Sequence, residues 1–140
     1  MDRLPVKVKL IIGAAVILAI ILGIYSFNVW GLEKDITEVI FFVVLATIGE
    51  SLSIALPNQI SVSVVFAILV CIVMLFNPLT AGLVIAAGNL MSVYKRSGKI
   101  GHVFNTPFYK TLFNVCIAFV SSVVSGIVYC SLYVPGGYIS

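Results

Sequence analysis

The chain has 140 residues, of which 61% are hydrophobic and 9% charged, and its formal net charge is +3. Soluble domains carry about 25% charged residues, so this composition, with a mean hydropathy of +1.22, excludes an ordinary soluble enzyme and indicates an integral membrane protein. At roughly 20 apolar residues per membrane-spanning helix, the length holds one bundle and leaves no room for a separate catalytic domain.

The first apolar run, about residues 10–30, follows Arg3, Lys7 and Lys9. It is too long for the apolar region of a signal peptide and has no small-residue cleavage site before Gly31, so it reads as an uncleaved helix. Tyr25, Phe27 and Trp30 at its far end suit a membrane interface. A short connection bearing Glu33, Asp35 and Glu38 leads to a second span, expected over about 36–56. It should stop at Pro57-Asn58-Gln59, because proline removes a backbone donor and disfavours helix at Leu56. A third, short run covers about 61–76 and ends at Asn77-Pro78. The fourth, about 79–94, contains Gly82, Gly88 and Asn89 and gives way to Lys95-Arg96-Ser97-Gly98-Lys99; the fifth, about 112–134, ends at Pro135-Gly136-Gly137. β-Branched residues cluster at 60–65 and 120–128, but apolar and polar residues do not alternate as they do in membrane barrel strands. The expected fold is therefore all-α: one domain over residues 1–140, a polytopic membrane helical bundle with five transmembrane helices.

Charge placement sets the expected orientation. Arg3, Lys7 and Lys9 flank the start, and Lys95, Arg96, Lys99 and Lys110 flank the fourth connection. Five spans with a cytoplasmic N-terminus put both basic segments inside and the acidic connection outside, as the positive-inside rule requires. This predicts a multi-pass protein of the cytoplasmic membrane whose fifth helix ends outside; a sixth helix would be needed to bring the chain back. The cations are explained by topology, so nucleic acid is not an expected partner. Membrane lipid is: the segment from Lys95 to Lys110, with Phe104, Phe108 and Tyr109, suits an anionic leaflet.

Glu50 is the only acidic side chain within the long apolar runs that read as membrane-spanning helices. An unpaired carboxylate near the bilayer interior costs several kcal/mol, so it should face the bundle or a wet cavity and find polar partners. No Lys or Arg lies within a span, which leaves Asn89, Asn114 and the serines Ser51, Ser53, Ser61 and Ser63. The candidate ligand-binding set is Glu50, Asn89 and Asn114, with Asn58 and Gln59 at the rim, for a small polar or cationic ligand. The competing reading is an interhelical hydrogen-bond cluster contributing about 0.6–2 kcal/mol per pair. Short spans bounded by Pro and Gly also suit a cavity near Pro57 to Ser63.

Small residues at helical spacing, Ala118, Ser122 and Gly126 with Ser121 and Ser125 beside them, and Gly82 with Ala86, predict close helix packing. Packing within the chain is the expectation, and a homodimer through these helices the alternative. Cys71, Cys116 and Cys130 have neither CxxC spacing nor clustered metal-ligand partners, and His102 lies alone in the basic loop. No metal, no cofactor and no catalytic constellation is expected.

From Glu50 onward the order Glu50, Leu56-Pro57, Ser61-Val62-Ser63, Phe66-Ala67, Phe76-Asn77-Pro78, Ala81, Gly88-Asn89, a basic loop, Leu112-Phe113-Asn114 and Gly126-Ile127-Val128-Tyr129 resembles the N-terminal membrane-sensor region of bacterial HD-GYP-type cyclic-di-GMP phosphodiesterases and some GGDEF-type diguanylate cyclases. The resemblance covers about residues 50–129. It implies a sensory, signal-transducing input domain in the bacterial inner membrane; the His-Asp motif and cyclase loop of the output domains are absent, so it implies no enzymatic activity for these residues. A looser similarity is to the substrate-capturing S components of energy-coupling-factor transporters, which implies a binding subunit for one small molecule.

Overall fold

The computed structural model describes residues 5–32, 35–52, 54–55, 61–62, 64–92, 94–96, 99–101 and 107–133. Five helices make up the body: α1 (Val6–Trp30), α2 (Ile36–Ser51), α3 (Val65–Leu75), α4 (Pro78–Met91) and α5 (Phe108–Tyr133). Two small antiparallel pairs join them. β1 (Ile54–Ala55) pairs with β2 (Ser61–Val62) between α2 and α3, and β3 (Tyr94–Arg96) pairs with β4 (Lys99–Gly101) between α4 and α5.

Local chemistry accounts for the helix ends. α1 closes at Gly31, whose φ of 70° lies in the left-handed region open to glycine, and whose N–H donates to the Phe27 carbonyl at 3.0 Å. α4 opens with Pro78 in its first turn, where a missing N–H costs nothing, and with Asn77 Oδ1 accepting the Thr80 N–H at 2.8 Å. The second helix ends at Ser51 rather than 56, and the third starts at Val65 rather than 61. The stretches lost from the predicted helices include the β1–β2 pair, Ile54–Ala55 and Ser61–Val62, and β-branched residues near 60–65 favour extended backbone. In the other direction, α1 and α5 begin four residues earlier than the apolar runs suggested, at Val6 and Phe108, because each follows a proline that opens a helix readily.

Packing fixes the directions. Phe42 meets Phe76 edge to face at 5.2 Å while Gly49 lies against Val65 and Ile68, so α2 and α3 run antiparallel. Gly126 lies against Pro78 and Gly82 against Phe119 and Val123, so α4 and α5 are antiparallel too. Gly88 abuts Ala46 and Thr47, which brings the C-terminal ends of α2 and α4 together. α4 is the central helix: it touches the other four and is buried nearly all round, from Pro78 to Gly88. The core is Ala46 of α2, Ile72, Val73 and Phe76 at the end of α3, and Ala81, Val84 and Ile85 of α4. α1 lies outside, packed on α5 and α4, with the Phe119 ring between its Gly23 and the Gly82 notch of α4. The small-residue face of α5 is thus consumed within the chain, Ser122 and Gly126 being buried.

Among the described residues, only α1 and α5 are helices long and apolar enough to cross a membrane. At about 1.5 Å per residue, α2, α3 and α4, with 16, 11 and 14 residues, fall short of the roughly 30 Å hydrocarbon core. Five full-length spans, as expected from the apolar runs, are therefore not what the helix lengths show. The outer surface is nonetheless strongly apolar, with Leu10, Ile17, Ile20, Ile24 and Phe27 of α1 and Ile117, Val124, Val128 and Leu132 of α5 all exposed.

Candidate functional site

Antiparallel packing gathers the C-termini of α2 and α4, the N-termini of α3 and α5 and both β-pairs at one end of the bundle. Glu50 lies there, on the last turn of α2, partly buried. Ala46, Gly49 and Glu50 share one face by their i, i+3 and i, i+4 spacing. Because the positions touching across that face, Ala46 and Gly88, are small, the helices approach closely enough for Asn89 Nδ2 to donate to Glu50 Oε1 at 3.5 Å. That distance is at the long limit for a hydrogen bond, so the carboxylate is contacted by Asn89 but not saturated by it.

Other polar groups nearby are largely turned to their own helices. The Thr47 hydroxyl donates to the Val43 carbonyl at 2.8 Å, Ser51 to the Thr47 carbonyl at 2.7 Å, and Ser92 to the Asn89 carbonyl at 2.9 Å. The electrostatics are mixed. The two helix C-termini carry roughly half a negative charge each and the two N-termini at the same end the opposite, with Lys95, Arg96 and Lys99 on the β3–β4 pair, so the preference for a cation or a hydrogen-bond donor rests on the Glu50 carboxylate itself.

Of the five predicted ligand-binding residues, the structure brings together Glu50 and Asn89. Asn114 is exposed and does not join them: at about 100° per residue it sits about 200° round α5 from the buried Cys116. Asn58 and Gln59 lie outside the described residues, as do Ser53, Ser63 and His102. Ser92 was not anticipated, since it lies past the glycine-rich stretch next to the basic run. Among the described residues no group of three or more His, Cys, Asp or Glu could hold a metal ion, and the three cysteines are free.

A second concave feature lies at the opposite end. A groove of about 460 Å³ opens between the first turns of α2 and the end of α3, lined by Thr37, Glu38, Phe41, Phe42 and Leu75. Glu38 and Phe41 are exposed and Phe42 is partly buried. Sequence reading placed Glu38 in a polar connection, whereas it lies in the first turn of α2, where i+3 and i+4 spacing sets it beside Phe41 and Phe42.

Comparison with known protein families, with curated proteins and with solved structures finds no match.

Proposed function

We propose that the chain is a membrane-embedded sensory or ligand-binding module without catalytic activity of its own, with Glu50 and Asn89 contacting a small cationic or hydrogen-bond-donating ligand. All five helices lie in the bilayer in this reading, the N-terminus cytoplasmic; the three short ones cross with local thinning, and the β-pairs cap the cytoplasmic end. The supporting observation is the long Glu50–Asn89 contact at two converging helix C-termini, an arrangement with acceptor capacity to spare. Service as the input domain of a cyclic-di-GMP signalling protein is the further reading suggested by the order of polar and proline landmarks.

The test is thermal unfolding of the full chain in detergent against a panel of small organic cations and neutral polar metabolites. A saturable stabilisation, abolished by Glu50→Gln and weakened by Asn89→Ala, is expected. Stabilisation that persists unchanged in Glu50→Gln removes this carboxylate from the site.

A further inference from the structure

The groove at the far end of the bundle has walls suited to one chemistry. We propose that it binds an organic ammonium group, with the Glu38 carboxylate as counter-ion and the rings of Phe41 and Phe42 as the apolar, cation-tolerant walls. Its volume of about 460 Å³ falls within the range of small-ligand sites. A carboxylate beside two aromatic rings recognises an ammonium in two ways at once: by charge, and by attraction to the negative face of the ring. Leu75 on the opposite wall offers apolar surface for alkyl substituents, and Thr37 adds a hydroxyl.

The rings are positioned rather than loose. Phe42 packs edge to face on Phe41 at 5.4 Å and on Phe76 at 5.2 Å, which ties the groove to the core. The main opposing effect is the N-terminus of α2, equivalent to roughly half a positive charge. Two carboxylates outweigh it, since Asp35 at the cap and Glu38 in the first turn are both exposed at the same helix end. Among the described residues no cation is paired with Glu38.

An ammonium at this level could belong to a lipid headgroup or to a free amine. The experiment is equilibrium binding of radiolabelled choline to the full chain in nanodiscs, with the neutral isostere 3,3-dimethyl-1-butanol as a control. In discs of phosphatidylglycerol alone, choline is expected to bind saturably and the isostere not to compete. Glu38→Gln should weaken binding at least tenfold and Phe41→Leu several-fold, whereas Phe41→Tyr should preserve it. Loss of choline binding in phosphatidylcholine discs assigns the groove to the lipid headgroup; retained binding assigns it to a free amine. Unaltered binding in Glu38→Gln, competition by the isostere or no saturable binding overturns the proposal. Circular dichroism of each variant separates lost binding from lost fold.

Discussion

A methyl group placed on Gly88 would lie 2.7 Å from the Ala46 Cβ and 3.2 Å from backbone atoms of Ala46 and Thr47. Backbone cannot step aside as a side-chain tip can, so Gly88→Ala should push α2 and α4 apart, separate Asn89 from Glu50 and cost about 1–3 kcal/mol, the usual range for overpacking. Gly126→Ala, whose added carbon would sit 2.9 Å from the Pro78 Cα, should cost a similar amount. Gly13 has nothing within 4 Å of its would-be methyl, and Gly13→Ala should be neutral or stabilise by about 0.5–1 kcal/mol through helix propensity. Thermal unfolding in detergent checks all three, and equal effects at the three positions would refute the packing given for α4. Asn77→Ala should cost about 1 kcal/mol through the lost cap on Thr80, and Asn77→Asp should restore most of it. At this scale the sequence was partly legible: Glu50 and Asn89 stood out as polar residues in apolar runs, and they do meet. Asn114 stood out by the same criterion and does not, because residue type says nothing of helix phase until the neighbours that bury α5 are known.

The helices are held unequally, and the loosest attachment for its length is that of α1. Its 25 residues bury only Ile12, Ala15 and Ser26, and the ring of Phe119 from α5 is seated between its Gly23 and Gly82 of α4. Phe119→Ala should therefore release α1 while leaving the α2–α3–α4 core intact. Spin labels on α1 and α4 should show a broadened distance distribution, whereas a pair on α2 and α4 should stay sharp; broadening of both pairs would mean that Phe119 supports the whole bundle. Helix number and order were legible from the apolar runs and their Pro, Gly and Asn punctuation. The β-pairs were not, since two or three paired residues leave no periodic signal, and the β-branched clusters read equally well as buried helix.

For the molecule as a whole the outer surface decides the environment. Exposed apolar patches beyond a few hundred Å² are uncommon on soluble monomers, and α1 and α5 expose apolar side chains along their length. In a bilayer the hydrophobic effect does not drive helices together, because lipid is as apolar as leucine; close packing and interhelical hydrogen bonds must do so. Gly23, Gly49, Gly82, Gly88 and Gly126 all occur at helix contacts, which suits the membrane-embedded reading proposed above. The five-crossing reading proposed above predicts alternating ends: reporter fusions after Phe76 should read external and after Ser97 cytoplasmic, and a cytoplasmic signal at both would refute five crossings.

The position of α4 at the centre also bears on how the protein is made. α1 and α2 leave the ribosome before the helix that α2 is built around exists, and α1 must wait longest, because its principal partner, α5, is the last of the described helices. Among the described residues, the segment that waits longest for its principal partner is also one of the two long and apolar enough to cross a membrane. In the membrane-embedded reading proposed above, insertion and assembly are thereby separated in time: α1 enters lipid ahead of its partner, and the Gly23 and Gly82 contacts with Phe119 close only when the fifth helix arrives.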